Sequence, residues 1–230
     1  MADRACREGL GGGGFTPTLL MLSVFVIATC GLVYELLAGT LASYVLGDSV
    51  TQFSTVIGVY LSAMGVGSLL SGRIERDLLK LFIGTEILIG LVGGSSAALL
   101  FVAFGQVTAF RIPLYATVGA VGVLVGVELP LLLRILRDTL AFKDLVARIF
   151  SLDYIGALFA SLLFPLVLVP HLGLIRSSFL FGMLNVGVAV WLLVRLDPAP
   201  WVRAHRAFAL AALTVLAAGF IESDWIMDVQ

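Results

Sequence analysis

Four carboxylates lie inside long apolar runs of this sequence: Glu35, Glu86, Glu128 and Asp153. Glu128 has the most telling context. It stands in the stretch 124–130 (Leu-Val-Gly-Val-Glu-Leu-Pro), near the end of an apolar run over residues 112–133. A run of about 22 residues crosses a bilayer core of roughly 30 Å at about 1.5 Å per helical residue. A carboxylate at such depth is costly unless it is paired, protonated or turned towards a cavity. Pro130 follows two residues on; lacking an N–H, it is expected to kink or end its helix, and Pro165 to do the same in a later run. An acid beside a helix break in an apolar run is a candidate site for a cation or a proton. The competing reading is that each carboxyl is protonated or capped by a neighbouring hydroxyl or amide; for Asp153, beside an interface, that reading is a helix N-cap.

The surroundings of these acids set the class. The chain has 230 residues, 60% hydrophobic and only 13% charged, with a mean hydropathy of +1.10. A soluble domain is nearer half apolar and a quarter charged, so the composition points to an all-α integral membrane protein. No basic patch suggests nucleic acid. Cys6 lies in the N-terminal tail and Cys30 inside a span, so a disulfide between them is not expected. Neither they nor His171 and His205 have metal-ligand spacing, and no metal or cofactor is expected. No Walker loop, nucleophile elbow or zinc signature is present.

Residues 1–14 read as a glycine-rich cytoplasmic tail, 15–221 as a helical membrane domain and 222–230 as a short acidic tail. Seven apolar runs follow the first tail: 17–46, 53–72, 81–106, 112–133, 153–170, 172–194 and 207–221. The fifth and seventh are marginal in length for a crossing. The first is too long, and lacks the small-residue cleavage site, to be a signal peptide. Placing the N-terminus in the cytoplasm puts 12 of the 14 basic residues there, leaving Arg111 and Arg176 outside. The expected location is therefore a bacterial-type inner (plasma) membrane. Between the fourth and fifth runs, residues 134–151 suit a short amphipathic surface helix or a solvated loop. In the second run Gly58, Ser62 and Gly65 recur at helical spacing and predict a smooth face for close helix contact. Asn185 is expected to hydrogen-bond across a helix interface.

A faint repeat links Tyr34-Glu35-Leu36 with Val127-Glu128-Leu129, Phe53-Ser54 with Phe150-Ser151, and Gly84 with Gly182, at offsets of 93, 97 and 98 residues. It predicts about seven transmembrane helices arranged as a three-plus-three inverted repeat plus one, with chance similarity among apolar helices as the alternative. In that arrangement Glu86, Glu128 and Asp153 converge towards the cytoplasmic side, and Glu35 lies in the outer half.

Several motifs recur in a familiar order: Asp153-Tyr154-Ile155-Gly156-Ala157, Phe164-Pro165-Leu166, Pro170-His171-Leu172-Gly173 and Phe181-Gly182-Met183-Leu184-Asn185. With Tyr34-Glu35, the stretch 65–73 and Glu128-Leu129-Pro130, they resemble the membrane domain of the membrane-integrated spermidine synthase (polyamine aminopropyltransferase) family over about residues 20–220. The resemblance implies a membrane domain that anchors an aminopropyltransferase domain or subunit, a transferase of polyamine biosynthesis. It implies a polyamine as ligand, held or passed by Glu128, Glu35, Glu86 and Asp153. The family's catalytic domain, with its glycine-rich site for decarboxylated S-adenosylmethionine, has no counterpart in these 230 residues. No catalytic residue is therefore carried over, and the expectation is a truncation, a split gene product or a stand-alone paralogue. Two other readings remain open: a small transporter using its intramembrane carboxylates, and a structural subunit of a larger membrane complex.

Overall fold

The computed structural model describes residues 17–106, 110–137 and 141–223. The expectations placed on the tail 1–14 with Cys6, on residues 138–140 of the stretch 134–151, and on residues 224–230 lie outside these. Among the described residues every regular element is helical: α1 (Pro17–Leu46), α2 (Ser49–Ser71), α3 (Leu78–Gln106), α4 (Arg111–Leu136), α5 (Phe142–Leu163), a π-helical turn (Phe164–Leu168), α6 (Val169–Val194) and α7 (Pro200–Ile221).

The helices end where the local chemistry changes. Gly47 and Asp48 both take positive φ, 70° and 43°, which closes α1. The Asp48 carboxylate accepts from the Thr51 amide at 3.4 Å and the Thr51 hydroxyl at 2.6 Å, capping the N-terminus of α2. Pro200 sits in the first turn of α7, where a missing N–H costs nothing. At the other end of α6 the Arg206 guanidinium donates to the carbonyls of Leu193 and Leu196, at 2.7 and 2.9 Å, satisfying backbone acceptors that the helix leaves open.

Among the described residues six stretches are long and apolar enough to cross a membrane, one of them the 53 residues Phe142–Val194. A straight helix of that length would measure about 80 Å, but the backbone breaks at Gly173, where φ is 71° and ψ is 179°. That conformation is closed to residues with a Cβ.

Several expectations change in detail. Pro130 does not end its helix: α4 continues six residues further, to Leu136. Pro165 is absorbed by the π-turn, which accommodates the lost N–H and the ring by widening one turn. Residues 142–151 are no separate surface helix but the first turns of α5, with Leu145 and Ile149 buried and Lys143, Asp144 and Arg148 exposed. Asp153 is accordingly in mid-helix and caps nothing. The seventh element runs 22 residues rather than 15, because its polar first turns are helical as well.

Packing is interlaced. α1 packs chiefly on α5, α2 on α4, and α3 on α6, with α7 against α6 and α3. Glycines set the closest crossings. A Cβ on Gly126 would lie 2.1 Å from the Met64 carbonyl oxygen, and one on Gly67 2.0 Å from that of Val123. The contact face of α2 is therefore Tyr60, Ala63, Met64 and Gly67. The expected face of Gly58, Ser62 and Gly65 points outward instead; both glycines have open space around them. Helical spacing alone allowed either stripe, and the larger partner surface on α4 selects the one that faces it.

Candidate functional site

The position of each acid along the bundle follows from contacts between neighbouring helices. Gly31 of α1 faces Val125 of α4, whose Cγ1 would lie 3.5 Å from a Cβ there. The two helices run in opposite directions, so Glu128 is level with the residues about one turn before Gly31 on α1. Gly93 of α3 packs on the ring of Tyr34, 2.8 Å from a Cβ. α3 runs with α1, so Glu86, about two turns before Gly93, reaches the level of Glu128. The carboxyls of Glu86 and Glu128 are neighbours that interact directly. Both are sealed from solvent, at 0% and 1% exposure. Apart from each other, their four oxygens have no hydrogen-bond partner.

A phenol completes the cluster. The Tyr34 hydroxyl is buried, lies in the electrostatic field of both Glu86 and Glu128, and has no partner. Tyr60 of α2 stands alongside, its hydroxyl donating to the Gly31 carbonyl at 3.0 Å. The Cys30 thiol, one helical turn from Tyr34, is directed at the Phe181 carbonyl at 3.7 Å. Four helices thus bring two carboxyls, two phenols and a thiol into one apolar interior. Buried polar groups without partners are expensive, and here they concentrate at one place.

The other two acids flank this cluster. Glu35, half-buried, lines a narrow pocket with Tyr34, Tyr60, Ser96 and Thr117. The pocket lies about two turns along α1 from the level of the carboxyl pair, a separation of about 10 Å. Asp153, also half-buried, is within electrostatic range of Glu128 and Tyr60 from α5. All four acids singled out in the sequence therefore face the same interior, but only Glu86 and Glu128 meet. Among the described residues no group of three or more His, Cys, Asp and Glu side chains is arranged to hold a metal ion.

Residues outside this interior have local duties. His171 Nδ1 lies 3.0 Å from the Val167 carbonyl, and His205 Nδ1 2.8 Å from that of Trp201. Asn185 is buried, but its Oδ1 has no partner, contrary to the expected interhelical hydrogen bond. Sequence reasoning did not assign Tyr34, Tyr60 or Cys30 to the site. The signal available was the four-residue spacing of Cys30 and Tyr34, which places both on one face of α1 beside Glu35.

Relatives with curated names decide the comparison. A "Polyamine aminopropyltransferase" of Leptospira interrogans is 54% identical over 217 residues, 91% of this chain and 42% of that protein. The chain is similar to polyamine aminopropyltransferases. "Polyamine aminopropyltransferase 2" of Ralstonia nicotianae is 53% identical over 90% of the chain and 42% of its own length. "Polyamine aminopropyltransferase 2" of Streptomyces coelicolor is 40% identical over 87% of the chain and 38% of its length. The chain thus spans about two fifths of the curated relatives it matches. These homologues support the family suggested by the motifs at 153–185. No family model matches the chain, and no solved structure matches it.

Proposed function

We propose that this chain is the membrane domain of a spermidine synthase-like aminopropyltransferase, anchoring a synthase domain or subunit and binding a polyamine cation at Glu86 and Glu128. The relatives' names supply the chemistry of the ligand. The helices supply the anchor: every crossing candidate is apolar, and the basic residues gather at the α2–α3, α4–α5 and α6–α7 junctions. That distribution favours a multi-pass plasma-membrane protein with a cytoplasmic N-terminus. The break at Gly173 favours two crossings within the stretch Phe142–Val194, hence seven in all.

The observation that carries the ligand reading is the trio of unpartnered buried groups, Glu86, Glu128 and Tyr34. A primary ammonium carries three N–H donors and no acceptor. Three acceptor groups converging from α3, α4 and α1 match it in number, and a carboxylate among them supplies the opposite charge.

The test is equilibrium binding of spermidine and putrescine to the purified 230-residue chain, wild type against Glu128→Gln. A charge-assisted hydrogen bond to a buried ammonium is worth about 1.5–3 kcal/mol, so the substitution should weaken binding by roughly 10–150-fold. Absence of saturable binding by the wild type would remove the ligand role and leave an anchor.

A further inference from the structure

The main helix pairs of the bundle fit an internal two-fold exchange that runs through the proposed site. Exchanging α1, α2 and α3 for α4, α5 and α6 turns the α1–α5 pair into the α4–α2 pair and leaves the α3–α6 pair unchanged. Those three pairs are the main helix contacts within the six. Specific contacts obey the same exchange. Gly90 and Gly182 cross on each other, and the contact of Gly94 with Gly182 is mirrored by that of Gly90 with Val186. Where Gly156 of α5 packs on Thr29 of α1, Gly122 of α4 packs on Tyr60 of α2. The axis passes through the Gly90–Gly182 crossing and the Gly31–Val125 contact, at offsets of 92 and 94 residues. The sequence pair Gly84 and Gly182, with its offset of 98, is therefore not the equivalent one; Gly84 faces His205.

Under this operation Glu35 and Glu128 are the same position, 93 residues apart, on opposite sides of the axis. Glu35 lies one turn beyond Gly31 and Glu128 one turn beyond Val125, in opposite directions. Tyr34 and Tyr60 stand between them, and the half-buried Asp153 lies beyond Glu128 on the far side. We infer that the fold passes a linear polyamine across the bilayer by alternating access, with Glu35 and the Glu86–Glu128 pair as the two carboxylate stations and Tyr34 with Tyr60 as the barrier between them. The inference rests on the reading of Glu86 and Glu128 as an amine site. An inverted repeat supplies the mechanism: each half can adopt the other's conformation, so a site open to one side becomes open to the other at little difference in energy. The Gly90–Gly182 crossing brings the backbones of α3 and α6 together, with Val186 and Leu216 packed beside it. The step between stations, about 10 Å, is close to the length of an extended triamine with three- and four-carbon spacers, about 11 Å over nine bonds.

The experiment is counterflow of radiolabelled spermidine in proteoliposomes of the 230-residue chain, run beside equilibrium binding on wild type, Glu35→Gln and Glu128→Gln. Wild type should exchange label. Glu35→Gln should still bind saturably, more weakly than wild type, and lower exchange by about tenfold or more, and Glu128→Gln should lose both. Binding without counterflow in the wild type, or undiminished exchange by Glu35→Gln, overturns translocation and leaves the binding site standing. No binding by the wild type removes both. In case Glu35→Gln misfolds, a second readout uses Glu35→Cys and Glu128→Cys with Cys6 and Cys30 replaced by Ser. A membrane-impermeant thiol reagent should reach the two positions from opposite sides; labelling of both from the same side overturns the inference.

Discussion

Gly126→Ala should disrupt the bundle out of proportion to the one methyl it adds. The new Cβ would stand 2.1 Å from the Met64 carbonyl oxygen, with the Met64 Cα at 2.6 Å and its carbonyl carbon at 2.7 Å. A comfortable carbon–oxygen approach is about 3.3 Å, so α2 and α4 must part by about 1.2 Å at that point. The obstacle is backbone, so no rotamer change relieves it. Separation would also loosen the neighbouring crossings at Gly67 and Gly122, since a Cβ on the latter is 2.8 Å from the Tyr60 carbonyl oxygen. Overpacking of this kind costs about 1–3 kcal/mol, and alanine's better helix propensity returns about 0.5–1 kcal/mol. The net expectation is a loss of about 1–2 kcal/mol. Gly65→Ala, on the partner helix α2 but in open space, is the control and should be neutral or slightly stabilising. Thermal unfolding of both variants in detergent, against wild type, reads the difference. Equal melting temperatures for Gly126→Ala and Gly65→Ala would refute the close α2–α4 crossing.

Two further outcomes follow from the ends of helices. Gly173→Ala places a Cβ on a backbone at φ 71° and ψ 179°, which costs about 1–3 kcal/mol; an unchanged melting temperature would contradict the break between α5 and α6. Asp48 is held below the ordinary aspartate range by its bonds from the Thr51 hydroxyl and amide. A depressed folded value means that its contribution to the α2 cap is present above the unfolded aspartate value, about 3.9, and is lost as pH falls through the lower folded one. Hydrogen exchange at the Thr51 and Gln52 amides should rise in that acid window and, at neutral pH, in Asp48→Ala; amides unaffected in both would exclude the cap.

Much of this architecture was legible because apolar length is a blunt and reliable signal. The runs at 17–46, 81–106 and 112–133 became α1, α3 and α4 with small shifts of boundary. The same bluntness hid the beginnings of α5 and α7. Lys143, Arg148, Arg203 and Arg206 interrupt hydropathy without interrupting hydrogen bonding, so helices that start in a polar layer read as loops. Prolines misled in the opposite direction. Pro130 and Pro165 looked like breaks, whereas the chain turned at Gly173, because tertiary packing tolerates a missing N–H but a backbone at φ 71° and ψ 179° demands glycine. The four acids were visible as ionisable groups in apolar sequence; the meeting of Glu86 with Glu128 was not. It depends on a helix register set at Gly31 and Gly93, and sequence spacing within one helix says nothing about register between two.

The interlaced pairing also governs the order in which this molecule takes shape. The principal neighbour of α1 is α5, and Thr29 reaches the Gly156 carbonyl across 127 residues of chain. At about 5–20 residues per second of synthesis, the first helix waits on the order of 6–25 s before its partner exists. During that interval the faces of α1 and α2 that α5 and α4 later bury lack those partners. The first three helices are thus an unfinished half whose native contacts arrive with the second.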